Sequence, residues 1–411
     1  MNSLKSERLA CLDAFRGFDI LAMTFVNYIA GMTAIPFILR HAKADMDAYT
    51  LPDVVFPGFL FIVGVAIPLS LQKRIDQGDS LLRILKRIVI RTAALVFLGV
   101  LMVNKEIFSA KATGISHELW FFLICIAVIA LWTVYPRPEN RRCRVLFLMA
   151  RIVAASLLGF LLVILRTHTE GGGITWLQVP WWGILGLIGW VYLACSLLYL
   201  LAKEDRTALL GAMGLMIALF IGWRHGLLDF IGSPTEALNI GIIFGSHGAI
   251  VTAGMVVGTL FTPRSAKMTA TARLLFIGIF GAGLLVSGYL FRPLHGFSKI
   301  RGTESYALAT SGICCLLFMI FYWLMDVIKA RRWASFLQPI GANPLLAFLL
   351  PSMVDSLLDF ASSIFKTDVR HIFWPFWGRG GYAGMANALA MTGVILLLTW
   401  AMTRAKIILK L

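Results

Sequence analysis

The chain has 411 residues, of which 59% are hydrophobic and only 14% charged, and its mean hydropathy is +0.83. Soluble globular domains carry about 25% charged residues, so this composition excludes a soluble fold and points to a polytopic membrane protein. A net charge of +16 with a pI near 9.9 would suit a nucleic-acid partner, a reading that the placement of the cations removes.

A crossing needs roughly 20 mostly apolar residues. In chain order such runs lie near 14–35, 52–72, 88–104, 118–135, 147–166, 178–201, 207–224, 240–261, 272–292, 306–328, 335–358 and 383–408. The expected fold is all-α, a transmembrane helical bundle of about twelve spans (10 to 12), read as a single domain over residues 1–411. Connections such as 104–118, 166–177, 223–239 and 360–381 are too short to hold a separate soluble domain. No second copy of "LDAFRGFDI" or "DVVFPGF" is visible, so the internal repeat common in secondary transporters is not evident.

With both termini inside, 25 of the 37 Lys and Arg fall on inner segments and 12 on outer loops. Cytoplasmic loops carry such an excess, which accounts for the basic pI without nucleic acid. The opening "MNSLKSERLACLDAFRG" is polar and charged, so no cleavable signal peptide is expected and the first span serves as an anchor. Cys11, Cys125, Cys143, Cys195, Cys314 and Cys315 fall in spans or on the inside without ligand spacing, so neither disulfides nor a metal are expected. The absence of an Asn-x-Ser/Thr sequon favours a bacterial inner membrane.

Ionisable residues near a span usually face a cavity or a partner, because hydrocarbon penalises charge. The first span and its return are densest in them. Asp13, Arg16 and Asp19 lie near one helical face at the inner end, read either as an Asp13–Arg16 pair or as a mouth for an anion. Asn27 lies past the middle of the span, His41 follows Pro36 in a short outer connection, and Asp53 opens the next span. Separately, an Asn bonding a neighbouring helix, or a solvated loop His, would suffice. Together they suit acyl transfer: an imidazole takes a proton, an amide steadies an oxyanion and a carboxylate orients the ring.

Lys299 and Arg301, with Arg292, stand outside against the charge bias in "RPLHGFSKIRGTESY", paired with Glu304 or lipid phosphate, or contacting a substrate. Trp374 and Trp377 in "DVRHIFWPFWGRGGY" fit an interfacial belt or a sugar-stacking platform. Inside, Arg16 and Arg91 offer planar forks suited to phosphate, and "GGG" at 171–173 is an outer loop, not a phosphate cradle.

"RLACLDAFRGFDILAMTFVNY", His41 and "LPDVVFPGFLFIVGVAIPLSL" resemble the opening of the heparan-alpha-glucosaminide N-acetyltransferase family, including its bacterial transmembrane glucosamine N-acetyltransferase relatives. The likeness covers residues 8 to 72, continues at "RIVIRTAALVFLGVLMVN", and returns at "FSKIRGTESYALATSG", "FYWLMDV" and "PIGANPLLAF". The resemblance implies transfer of an acetyl group from cytoplasmic acetyl-CoA to an extracytoplasmic amino sugar, glucosamine or an oligosaccharide containing it. It makes Asn27 and His41 the catalytic pair, and the surroundings of Arg91 set it above neighbouring cations as a donor-phosphate residue. His41 acts as a base in a ternary complex or is itself acetylated; both routes stay open. An O-acetyltransferase of an envelope glycan, and a secondary transporter with His41 and Asp53 as proton relay, are the alternatives. A homodimer is left open.

Overall fold

The computed structural model describes residues 9–136, 140–232, 238–373 and 380–410. Helices stand at the positions read as spans: α1 (Ala10–Ile29), α2 (Leu51–Asp76), α3 (Leu81–Glu106), α4 (His117–Trp132), α5 (Arg141–Ile164), α6 (Gly183–Ala202), α7 (Arg206–Arg224), α8 (Gly241–Phe261), α9 (Ala270–His295), α10 (Glu304–Val327), α11 (Pro344–Phe365) and α12 (Gly381–Arg404). Among the described residues nine of these, α2 and α5 to α12, are long and apolar enough to cross a bilayer. The chain is thus an all-α, multi-pass membrane protein.

The other three depart from that pattern in identifiable ways. α4 has 16 residues, about 24 Å at 1.5 Å per residue, short of a hydrocarbon core of about 30 Å. α1 carries Asp13, Arg16 and Asp19, and α3 carries Arg83, Lys86, Arg87 and Arg91 in its first half. The boundary of the first span also differs from the apolar run at 14–35. α1 stops at Ile29, and Gly31 then adopts φ +76°, a left-handed geometry that glycine takes without penalty. Pro36 lies beyond the helix end and precedes a 3-10 turn, Phe37–Leu39. The run beginning near 335 is likewise broken, by the short helix Gln338–Ala342, before α11 starts on Pro344. Proline suits a first helical position, where its missing N–H has no intrahelical partner anyway. The "GGG" loop closes a two-residue antiparallel hairpin, β1 (Thr167–His168) with β2 (Ile174–Thr175).

The chain forms two compact units. The first comprises 1–23, 36–93 and 187–341. Here α2 and α8 cross at backbone contact: a Cβ on Gly64 would overlap the Val251 carbonyl, and one on Gly254 the Phe61 carbonyl. In lipid, where helices gain little from hydrophobicity, small residues of this kind let backbones approach closely. Beside the crossing, Phe318 of α10 gathers Phe15, Phe61 and Phe261 at ring distances of 5.9 to 6.1 Å. α8 opens as a π-helix over Gly241–His247, with the Gly241 backbone against the Trp223 ring.

The second unit comprises 24–35, 94–186 and 342–411. Buried Asn104 bonds the Gln178 backbone reciprocally, donating to its carbonyl at 2.7 Å and accepting from its N–H at 3.0 Å. Trp120 of α4 donates to the Leu161 carbonyl of α5 at 3.0 Å. Asn343 secures the chain end, donating to the Ile407 carbonyl at 2.7 Å and accepting from the Leu409 N–H at 3.1 Å. Each of these side chains satisfies backbone groups that hydrocarbon would otherwise leave unpaired.

Candidate functional site

The site begins with the start of α2. Thr50 is the N-cap and Asp53 the third helical residue, so the carboxylate turns back to accept the Thr50 N–H at 3.1 Å. Such a reciprocal arrangement satisfies amides that the helix itself leaves open. The same carboxylate oxygen accepts the Ala42 N–H at 3.1 Å. The Thr50 hydroxyl donates to the Arg40 carbonyl at 2.6 Å, which ties the 40–50 connection down at a second point. His41 is therefore held by the cap of the helix that follows it.

Asp53 spends its other oxygen on His41. Nδ1 of the imidazole lies 2.7 Å from Asp53 Oδ1, with Asp53 fully buried and the His41 side chain 42% exposed. An ionised carboxylate only accepts, so Nδ1 carries a proton, and in the neutral ring Nε2 keeps its lone pair. Lys299 Nζ stands 3.3 Å from the same Nδ1 and 3.8 Å from Asp53 Oδ1. A protonated Nδ1 cannot also accept from an ammonium, and the shorter Asp53 contact decides the tautomer. Lys299 thus acts on the pair through charge. Burial draws the pKa of its ammonium down, while the Asp53 carboxylate partly restores it.

Lys299 reaches this position on a tight turn between α9 and α10. Thr303 N–H bonds the Ser298 carbonyl at 3.1 Å, and Ser298 N–H bonds the Thr303 hydroxyl at 3.0 Å. Asp47, in the His41 connection, accepts the Phe297 N–H at 2.6 Å and Arg292 Nε at 2.8 Å. The Phe297 N–H bond holds the Asp47 carboxyl below the usual carboxylate range, against a small burial effect, and Arg292 adds to the lowering.

The remaining expected residues are distributed more widely. Asn27 stands in the last turn of α1 rather than just past its middle, and it belongs to the second unit, whereas His41, Asp53 and Lys299 belong to the first. Arg16 bonds Asp13 at 3.2 Å and donates to the Gly341 carbonyl at 3.1 Å, the ion-pair geometry of the plainer reading. Asp19 is buried against Gly58, whose missing Cβ makes the room. Arg91 lies over the Tyr192 ring at 4.7 Å, and its buried Nε has no hydrogen-bond partner among the described residues. Arg301 is exposed on the Lys299 turn. Trp374 and Trp377 lie outside the described residues.

Two groupings were not read from the sequence. His295, the last residue of α9, places Nδ1 2.9 and 3.0 Å from the two oxygens of Glu304, the first residue of α10. Glu304 is fully buried and the His295 side chain 14% exposed. The sequence offers Glu304 as a partner for the neighbouring cations; its place at a helix start, nine residues after a His, is the signal for the His295 contact. In the second unit, the Tyr28 hydroxyl lies 3.4 Å from Asp355, and Arg370 pairs with Asp359 at 2.6 Å. Tyr28 follows Asn27 directly.

A family model described as domain of unknown function (DUF5009) matches residues 8–226, more than half of the chain. Heparan-alpha-glucosaminide N-acetyltransferase of Mus musculus is 31% identical over 142 residues, 33% of this chain and 21% of the mouse protein. Its Homo sapiens counterpart is 31% identical over 140 residues, 32% of this chain and 20% of the human protein. The match thus spans about a fifth of the length of these curated relatives.

Proposed function

The chain belongs to the DUF5009 family, and from that membership, its likeness to the two N-acetyltransferases and the His41–Asp53 geometry we propose that it is a transmembrane acetyltransferase. It takes the acetyl group from acetyl-CoA on the cytoplasmic side and gives it to an amino sugar, glucosamine or a glucosamine-containing oligosaccharide, on the other side of a bacterial inner membrane. Both termini lie in the cytoplasm, and residues 1–411 are read as a single acyltransferase domain. The observation that carries this reading is the half-exposed imidazole bonded through Nδ1 to a buried carboxylate. That arrangement leaves Nε2 as a base.

His41 Nε2 takes a proton from the acceptor nitrogen as that nitrogen bonds to the thioester carbonyl carbon. Asp53 keeps the ring oriented and steadies the imidazolium that forms. The Asn27 amide stabilises the carbonyl oxygen as it gains negative charge. Collapse breaks the carbon–sulfur bond, and the imidazolium returns its proton to the departing CoA sulfur. Arg91 and Arg16 are assigned to the donor phosphates: the buried Arg91 Nε has no hydrogen-bond partner among the described residues, and a guanidinium there is suited to an incoming anion. Lys299 and Arg301 lie on the turn assigned to the acceptor side. An amine is preferred to a hydroxyl because the family likeness is to N-acetyltransferases.

The test uses the purified full chain in lipid. Free CoA should appear from acetyl-CoA only when glucosamine is supplied, together with N-acetylglucosamine in equal amount. In sealed inverted vesicles, acetyl-CoA added outside should acetylate glucosamine trapped within. Uptake of sugar without any CoA release would replace this reading with a transporter.

A further inference from the structure

The turn that joins α9 to α10 is built with more care than a surface connection needs. At its base, Glu304 is buried without a trace of exposure yet meets His295 through both oxygens, at 2.9 and 3.0 Å. Buried charges are costly unless paired in this way. The pair therefore joins the end of one helix to the start of the next. The Ser305 hydroxyl donates to the Gly296 carbonyl, across the same base. On its flank, Asp47 accepts the Phe297 N–H, and the Ala48 N–H donates to the Phe297 carbonyl at 3.2 Å. The Phe297 ring is wedged edge-on between Tyr49 and Tyr289 at 5.0 and 5.1 Å. All these contacts converge on one outcome. They fix the backbone from which Lys299 reaches His41 and Asp53.

We propose that Lys299 is a charge-setting positioning residue for the His41–Asp53 pair rather than an acceptor ligand, and that the His295–Glu304 clasp holds it in place. This rests on the acetyltransferase reading. An ammonium 3.3 Å from Nδ1 and 3.8 Å from Oδ1 opposes a second positive charge on the imidazole. It also offsets part of the Asp53 charge that would otherwise favour the imidazolium. Both effects have one sign: they keep His41 as the free base, the form able to take a proton from an amine. The other groups around the pair do not substitute for it. Tyr306 of α10 bonds the Asp53 carbonyl, Thr50 of α2 bonds the Arg40 carbonyl, and Arg40, Lys43 and Asp45 flank His41 on its own connection. Arg292 of α9 is engaged with Asp47.

The experiment reads His41 directly, by carbon-13 NMR of histidine-labelled full-length protein in lipid nanodiscs, with His41→Gln identifying the resonance. A charge a few ångströms away shifts a titration by about 1 to 3 units. Lys299→Met should therefore keep the His41 ring protonated to a pH about one unit higher than in the parent, and Lys299→Arg should restore the parent curve. Glu304→Gln should move the curve the same way by less, through loosening of the turn. The acid limb of kcat/KM for glucosamine acetylation should follow, with kcat falling at pH 6 and the KM for glucosamine little changed. A His41 curve unmoved in Lys299→Met overturns the proposal, as does a rise in the glucosamine KM alone. An unmoved curve in Glu304→Gln, in protein of parent-like spectrum, overturns the clasp. If the NMR curves shift as stated but no preparation releases CoA, the charge-setting role stands and the acetyltransferase reading fails.

Discussion

The first unit contains two histidine–carboxylate pairs of the same chemistry, and they differ in where the imidazole is left. In both, a buried carboxylate near a helix start binds Nδ1 at 2.7 to 3.0 Å. His41 is 42% exposed and belongs to a connection, whereas His295 is 14% exposed and terminates α9. The first ring can meet a substrate on its far side; the second is enclosed, with Phe220 and His225 rings at 6.0 and 5.4 Å. A histidine–carboxylate contact is thus no signature of catalysis by itself. Access to the second ring nitrogen separates a ring that can act as a base from one that serves as a clasp.

The comparison breaks most sharply at the proposed base. His41→Ala should lower acetyl transfer by about 10²- to 10⁴-fold while leaving the melting temperature near the parent value, because a half-exposed loop side chain contributes little packing. A residual rate above a tenth of the parent would remove His41 from the mechanism. The reverse pattern is expected for the clasp. His295→Ala leaves Glu304 buried and unpaired, a change that typically costs about 3 to 5 kcal/mol, seen as a lowered midpoint in thermal unfolding. Turnover per folded molecule should stay within about tenfold of the parent. Equal rate losses in the two variants, at equal stability, would erase the distinction between the pairs.

Asn27→Ala asks whether the His41 pair acts alone. An oxyanion donor is worth roughly 10² to 10³ in kcat, so single-turnover rates should fall by that factor with the glucosamine KM unchanged. A variant that loses only stability would make Asn27 a helix-packing residue. The smallest effect concerns Asp47, which joins the His41 connection to the Lys299 turn. Its folded pKa lies below the unfolded value near 3.9, so the stability it contributes is present above that value and lost as pH falls through the folded pKa. Thermal midpoints should therefore drop slightly more between pH 6 and pH 3 in the parent than in Asp47→Asn. The difference stays small because the carboxylate is about half exposed and screened. Parallel curves would show that Asp47 plays no part in docking the two connections.

The sequence by itself determined the class of fold and named the two residues at the centre of the proposed site. A hydrophobic share of 59% with periodic apolar runs leaves no soluble alternative, because the bilayer length and the need to satisfy every backbone group admit few solutions. His41 and Asp53 were legible together because the motif places them 12 residues apart around a helix start, where a local cap settles the geometry. Lys299 was legible only as an outer cation against the charge bias. Its partner lies 258 residues away, and no local rule reaches that far. The end of α1 was misplaced because hydropathy continues past Ile29 while the backbone turns at Gly31, a decision of φ rather than of polarity. The His295–Glu304 clasp and the crossing of α2 on α8 at Gly64 were decided by tertiary structure alone. Each depends on which side chain finds which partner once the helices pack, and composition and spacing carry no record of that choice.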